Sequence, residues 1–207
     1  MTVTFVWDLD GTLIDSYPAI MRSLEVTYAH YGWEFDGEKL QDYILEFSVG
    51  QLLGEMAQEH QLDAREVKTL YSADLKKRDR ELQLFPEAQT VLDWTRSKGI
   101  ANHIYTHKGD NTQHVLKMLG IESYFTEVLH SQSGFARKPA PEAMDYLVEK
   151  YDLDRQQTYY IGDRKLDMEF ALNSGVRSIS LMQSDSPDNF FIHSLYEVPP
   201  KISISNL

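Results

Sequence analysis

Two aspartates, Asp8 and Asp10, end a short apolar run near the start of the chain, in the sequence FVWDLDGTLIDS. Aspartate is a poor strand former, and like charges on one face of a strand repel each other. Side chains two positions apart on a strand share a face, so both carboxylates would face one site while Leu9 points into the core. A divalent cation bound between them would offset the repulsion, and hard oxygen ligands favour Mg²⁺. Taken alone, an Asp-x-Asp more often only caps a turn.

Further polar residues stand at the ends of later predicted strands or close to the start of a later helix. They are Thr106 and His107 in IYTHKGDN, Lys138 in ARKPAPE, and Asp163 and Asp167 in YYIGDRKLD. Ligands of open α/β sheets bind beyond the carboxyl ends of the strands. Taken singly, each residue has a structural explanation, such as a solvated lysine or an aspartate that begins a helix. Together they place carboxylates, a hydroxyl and a cation at one edge of a sheet, which is the chemistry that a phosphoryl group needs.

Composition and charge limit the possible partners. The chain has 207 residues with 42% hydrophobic content, enough for a packed core. Its formal net charge of −12 argues against a nucleic acid or an anionic membrane as the main partner. The absence of cysteine excludes disulfides, thiolate metal sites and cysteine nucleophiles. The short run before Asp8 resembles neither a signal peptide nor a membrane span, so we predict a cytoplasmic protein, a monomer or weak homodimer by its size.

Strand-like and helix-like segments alternate over most of the chain. Short apolar runs predict strands at residues 3–9, 101–106, 125–130, 158–161 and 176–181. Helical spacing, with proline at several starts and glycine at several ends, predicts helices at residues 87–98, 111–119, 141–151 and 166–174. This alternation predicts an α/β fold, a Rossmann-like parallel sheet with helices on both faces.

Residues 17 to about 82 break this alternation. Apolar residues recur there at helical spacing in four successive segments, and no strand signal intervenes. We therefore predict an all-helical insert between the first strand and the rest of the sheet. The predicted domains are a core made of residues 1–14 and 83–207 and a helical domain made of residues 15–82.

Four motifs in this order resemble those of the haloacid dehalogenase-like hydrolase superfamily, in the branch that includes phosphoglycolate phosphatases. The matching residues are DLDGTL at 8–13, Thr106, Lys138 in RKPAPE, and Gly162 and Asp163 with Asp167. The helical insert resembles the four-helix cap domain of that branch. The resemblance covers the chain up to about residue 184.

The resemblance implies a phosphatase that hydrolyses a small phosphorylated metabolite, a phosphomonoester, through an aspartyl-phosphate intermediate. Asp8 would be the nucleophile that attacks phosphorus. Asp10 would protonate the departing alcohol and then take a proton from the attacking water. Thr106, His107 and Lys138 would bind the phosphoryl oxygens, His107 through its main-chain amide.

The same resemblance implies Mg²⁺ as the cofactor. The ion would be held by the carboxylates of Asp8 and Asp163 and by the main-chain carbonyl of Asp10. Asp167 would orient a metal-bound water or Lys138 rather than bind the ion directly.

Two alternatives stay open at the level of the sequence. A phosphomutase of the beta-phosphoglucomutase type uses the same residues, and a non-catalytic regulatory protein could bind phosphate and metal without turnover. A dehalogenase is disfavoured, because a departing halide needs no acid at the position of Asp10. His107 stands where similar phosphatases often have asparagine, and Arg164 where a small hydroxyl residue is common, so both could alter the substrate. Phosphoglycolate is the first substrate that the resemblance suggests.

Overall fold

A computed structural model describes residues 3–206, without the side chains of residues 203–206. The chain divides into two compact units, which are described separately. The first consists of Met1–Asp15 and Gln83–Leu207, and the second of Ser16–Leu82. The first unit differs from the predicted core segments, 1–14 and 83–207, by the inclusion of residue 15.

A parallel sheet of six strands forms the centre of the first unit. The strands of the chain are β1 (Thr4–Trp7), β2 (Ile14–Asp15), β3 (Gln83–Leu84), β4 (Ala101–Tyr105), β5 (Glu127–Leu129), β6 (Thr158–Gly162), β7 (Arg177–Ser180) and β8 (Asn189–Phe191). The order in the sheet is β5-β4-β1-β6-β7-β8, with every neighbouring pair parallel. The predicted α/β fold with a parallel sheet is confirmed. The sequence did not predict β8 or the small antiparallel pair of β2 and β3.

Helices occupy most of the remaining chain. They are α1 (Tyr17–Tyr31), α2 (Gly37–Glu46), α3 (Val49–Glu59), α4 (Ala64–Lys77), α5 (Ala88–Ser97), α6 (Thr112–Met118), α7 (Glu142–Tyr151), α8 (Lys165–Asn173) and α9 (Val198–Asn206). Within the described residues, no helix combines the length and the apolar character that a bilayer crossing requires.

Side chains of the central strands alternate between the two faces of the sheet. On one face, Phe5 of β1 packs edge-on against Tyr159 of β6 and stacks on Trp94 of α5, with ring centroids 5.9 and 6.2 Å away. The next residues, Val6 and Tyr160, belong to a buried cluster with residues of α7 and α8. Both faces are therefore covered by helices, which explains why these strands read as continuous apolar runs.

The second unit consists of helices α1 to α4 and a short 3₁₀ turn, with no strand among its described residues. Asp36, Ser48 and Asp63 begin α2, α3 and α4, and each side chain accepts a hydrogen bond from a main-chain N–H of the first turn. Gly32 ends α1 in the left-handed conformation, with φ of +70°. The unit has its own buried apolar cluster, drawn from α1 to α4 and from Trp33.

Candidate active site

The carboxyl end of β1 holds the first aspartate of the motif in the sheet. The Asp8 main-chain N–H donates to the Ile161 carbonyl of β6 at 2.8 Å, which extends the parallel ladder beyond β1. Gly11, with φ of +80°, then turns the chain, and its N–H donates to the Ile14 carbonyl at 2.9 Å. Leu9 is fully buried, as predicted for a side chain that points into the core.

Three buried carboxylates meet at this edge of the sheet. One oxygen each from Asp8, Asp163 and Asp167 lies within 4.8 Å of the other two. Asp163 is held by the Thr12 hydroxyl, which donates to its Oδ1 at 3.2 Å. The Asp8 Oδ1 atom is buried without a hydrogen bond. Like charges this close destabilise each other unless a cation lies among them, and an all-oxygen donor set fits a hard divalent ion such as Mg²⁺.

Lys138 supplies positive charge to the same cluster. Its fully buried ammonium lies 2.6 Å from Asp167 Oδ1, 2.8 Å from the Tyr160 hydroxyl and 3.2 Å from Asp8 Oδ1. Burial by itself would lower the pKa of Lys138, but the carboxylates of Asp167 and Asp8 outweigh burial and raise it, so Lys138 stays charged. Burial also raises the pKa of Asp8, and the Lys138 ammonium opposes that rise.

Asp167 uses both of its oxygens within the protein. Oδ1 accepts from Lys138, and Oδ2 accepts from the Arg164 main-chain N–H at 3.0 Å at the start of α8. Gly162 allows this close approach, because a Cβ atom at that position would lie 2.4 Å from the Asp167 Cβ and Cγ atoms. This arrangement suits a residue that orients Lys138.

Asp10 lies in a second pairing, with Lys108. The Lys108 ammonium is 3.1 Å from Asp10 Oδ1 and 3.5 Å from Oδ2, and the lysine side chain is only 7% exposed. The loop after β4 positions Lys108, because its N–H donates to the Thr106 hydroxyl at 3.1 Å. Thr106 is itself fixed by its N–H, which donates to the Leu129 carbonyl of β5 at 3.0 Å.

His107 joins the loop after β4 to the segment that carries Lys138. Its Nε2 atom accepts a hydrogen bond from the Lys138 main-chain N–H at 3.0 Å. Burial lowers the pKa of His107 to about 2, with help from the positive charges of Lys138, Arg137 and Arg164. The imidazole is therefore neutral and serves as an acceptor, which suits a wall residue rather than a second general base.

The structure thus brings the sequence-predicted residues into two adjoining groups of contacts in the first unit. Asp8, Asp163, Asp167, Lys138 and His107 form one group, and Asp10 and Thr106 are linked through Lys108. The sequence reasoning missed three contributors, Lys108, Tyr160 and Thr12. A signal existed for two of them, since Thr12 belongs to DLDGTL and Lys108 follows Thr106 by two residues.

Comparisons with known proteins identify the family. The family model described as haloacid dehalogenase-like hydrolase matches residues 5–181. A phosphoglycolate phosphatase of Yersinia pestis is 30% identical over 84% of this chain and 78% of its own length. The pyrophosphatase PpaX of Oceanobacillus iheyensis is 25% identical over 90% of this chain and 86% of its own length.

A crystal structure agrees with the fold. It is that of a predicted phosphoglycolate phosphatase from Haemophilus somnus, which superposes with a TM-score of 0.83, covers 98% of both chains and is 20% identical. The resemblance that the motifs predicted is confirmed, and the phosphatase relatives confirm the predicted enzyme class.

Proposed function

Because the chain belongs to the haloacid dehalogenase-like hydrolases, we propose that it is a Mg²⁺-dependent phosphatase that cleaves a small phosphomonoester through a phosphoaspartate at Asp8. One observation carries the proposal. The Asp8 Oδ1 atom is buried without a hydrogen bond, in contact with the Lys138 ammonium and beside two other carboxylates. A carboxylate oxygen kept free of hydrogen bonds retains its lone pairs for attack on phosphorus.

The reaction has two displacements at phosphorus. In the first, an oxygen of Asp8 forms a bond to phosphorus while the bond from phosphorus to the alcohol oxygen breaks, and Asp10 gives its proton to that oxygen. In the second, Asp10 takes a proton from a water whose oxygen attacks the phosphorus, which releases inorganic phosphate and restores Asp8. The Lys108 ammonium, 3.1 Å from Asp10 Oδ1, holds the Asp10 carboxyl group in place for both proton transfers.

Positive charge must balance the anions that meet in the first displacement. Asp8, Asp163 and the main-chain carbonyl of Asp10 would hold Mg²⁺, which when bound shields the attacking carboxylate from the phosphoryl oxygens. Lys138, the Thr106 hydroxyl and the main-chain amide of His107 would bind those oxygens.

Substrate identity is proposed from the relatives. Phosphoglycolate is the first candidate, because a phosphoglycolate phosphatase is among the matched relatives. Pyrophosphate is the second, because PpaX is named as a pyrophosphatase. We propose that the helical unit, Ser16–Leu82, acts as the cap that selects among such substrates. The cytoplasmic location and the monomer or weak homodimer stay predictions.

Phosphate release from a panel of metabolite phosphates and pyrophosphate, with and without Mg²⁺, tests this function. We expect Mg²⁺-dependent release from at least one small phosphomonoester and its loss in Asp8→Asn, which keeps the shape but lacks the nucleophilic charge. Release from no member of the panel would contradict the proposal and favour the regulatory protein. Transfer of phosphate within a sugar phosphate, without release, would identify the phosphomutase.

A further inference from the structure

Tyr160 is a buried phenol on β6 to which the mechanism above assigns no role. Its side chain is fully buried, three residues before Asp163. The hydroxyl accepts a hydrogen bond from the Lys138 ammonium at 2.8 Å and donates one to the Tyr105 main-chain carbonyl at 2.7 Å. A buried polar network with each member paired holds its groups in one arrangement.

The direction of these two bonds is fixed. Burial raises the pKa of Tyr160 well above its ordinary value, with the Asp8 and Asp167 carboxylates adding to the rise, so the phenol keeps its proton. A phenol has a single O–H, and the Tyr105 carbonyl can only accept it. The phenol oxygen therefore faces Lys138 as an acceptor.

This acceptor restricts the rotation of the Lys138 ammonium. An ammonium has three N–H groups in a tetrahedral arrangement. Asp167 and Tyr160 take two of them, at 2.6 and 2.8 Å. The third contact, to Asp8 Oδ1 at 3.2 Å, is longer and is not aligned as a hydrogen bond. Once two N–H directions are fixed, the third is fixed as well, with Asp8 Oδ1 lying 3.2 Å from the nitrogen.

We propose that Tyr160 is a positioning residue, which together with Asp167 aims the third N–H of Lys138 at the place where Asp8 meets the phosphoryl group. This inference rests on the proposed function, because it assumes that Asp8 is the nucleophile. Without the phenol oxygen, the ammonium can rotate about its bond to the side chain and turn a second N–H toward a carboxylate. The charge stays in the site, but the aligned donor is lost. The loss should appear in kcat more than in KM, because alignment matters most in the transition state.

Tyr160→Phe removes only the hydroxyl and keeps the ring, whose centroid lies 5.2 Å from the Lys138 ammonium. Tyr159→Phe is the matched control. Tyr159 is the neighbouring residue, it is equally buried, and its ring packs on the opposite face against Phe5. Its hydroxyl lies 3.4 Å from an Arg177 nitrogen and makes no contact with Lys138.

Steady-state kinetics with p-nitrophenyl phosphate and Mg²⁺ give the first readout. We expect Tyr160→Phe to lower kcat about tenfold, as for a lost hydrogen bond to a charged group, and to leave KM within about twofold. Tyr159→Phe should leave both within about twofold, and thermal unfolding midpoints should show both variants folded. An unchanged kcat in Tyr160→Phe, or equal losses in the two variants, would overturn the proposal.

A double-mutant cycle with Lys138→Met separates positioning from general damage to the fold. If Tyr160 acts through Lys138, the Tyr160→Phe change should have no further effect on kcat in the Lys138→Met background. A second loss of the same factor would show that the phenol acts independently of the lysine and would overturn the proposal.

Nitrogen-15 relaxation of the Lys138 ammonium, in protein labelled at lysine Nζ, needs no turnover. The signal is assigned by its disappearance in Lys138→Arg. We expect restricted rotation in the wild type and in Tyr159→Phe, and freer rotation in Tyr160→Phe. Equal rotation in all three would overturn the positioning role even if phosphate release is normal. A different result would contradict only the proposed function. In that case Tyr160→Phe frees the rotation of the ammonium, but the protein hydrolyses no phosphomonoester.

Discussion

At the scale of single residues, the site depends on buried charges that are paired with one another. Lys138 contacts Asp8, Asp167 and Tyr160, and its side chain has no exposed surface. Removing one member of such a set leaves its partners buried and unpaired, which costs more than the pair itself contributes to stability. Substitutions that keep shape and change only charge or proton count are therefore the most informative.

The acid role of Asp10 predicts a dependence on the leaving group. Asp10→Asn cannot donate a proton, and an alkoxide needs that proton far more than a p-nitrophenolate does. We expect the variant to lose at least about tenfold more activity on an alkyl phosphate than on p-nitrophenyl phosphate, measured as kcat/KM. Equal losses on the two substrates would rule out the assigned role.

Gly162 predicts a second residue-level effect. A methyl group at this position would overlap with the Asp167 side chain, at 2.4 Å, so Gly162→Ala must displace Asp167 from Lys138. We expect kcat to fall by at least about tenfold, because the ammonium loses its shortest contact. Gly54→Ala in α3 is the control, since its Cβ would meet nothing closer than the Lys68 ammonium at 3.8 Å. Full activity in Gly162→Ala would mean that the contact between Asp167 and Lys138 is not needed.

At the scale of elements, the ends of the parallel strands position the site residues. Some of these strands could be predicted from the sequence and others could not. The long apolar runs of β1, β4 and β6 stood out, and so did the polar residues that follow them. The pair of β2 and β3 was missed because strands of two residues show no periodicity. β8, at 189–191, was missed because the apolar run is short and lies beyond the recognised motifs.

Contacts between elements were harder to predict than the elements. Tyr160 read as one more apolar strand residue, because nothing in YYIGD shows that its hydroxyl meets Lys138 from another loop. Lys108 was not singled out from the sequence, because its pairing with Asp10 joins residues 98 positions apart. The motif residues were predictable because family resemblance supplied what local patterns lack.

His103 on β4 predicts how stability depends on pH. It is buried, its Nδ1 atom has no hydrogen bond, and burial lowers its pKa from 6.5 to about 4. Two charged residues near His103 also affect this pKa. Glu127 opposes the lowering, and Lys150 adds to it. Between pH 6.5 and 4 the unfolded chain binds a proton at this residue that the folded chain does not, so the free energy of unfolding falls as the pH falls.

Denaturant unfolding of the wild type and His103→Phe across this pH range measures the effect. We expect the wild type to lose up to about 3 kcal/mol more than the variant between pH 6.5 and 4, because folding lowers the pKa of this one group from 6.5 to about 4. Parallel curves for the two proteins would contradict the burial of a neutral imidazole.

At the scale of the whole molecule, the sequence predicted the fold class and left the substrate open. The alternation of strand-like and helix-like segments was sufficient to predict the fold class. No motif in residues 15–82 identifies a metabolite, because such specificity depends on side chains whose positions periodicity does not determine. The net charge of −12 repels anions at long range, so the buried cations Lys138 and Lys108 must supply the local attraction for a phosphate.

Metal binding should increase the thermal stability of the whole chain. An ion that binds only the folded state raises the unfolding midpoint by mass action. We expect Mg²⁺ to raise the midpoint of the wild type and a chelator to reverse the rise. In Asp163→Asn, Mg²⁺ should raise the midpoint only slightly, because one of the clustered carboxylates has lost its charge. A midpoint that is insensitive to Mg²⁺ in the wild type would argue against a metal at this cluster.

The most direct test of the central claim is to trap the covalent intermediate. The protein is mixed with a turned-over phosphomonoester and Mg²⁺, quenched in acid within the first turnovers and treated with borohydride, which reduces a phosphoaspartate to homoserine. Peptide mass spectrometry then locates the change. We predict homoserine at position 8, dependent on substrate and Mg²⁺. Phosphate release without any modification at Asp8, or modification at another residue, would contradict the account.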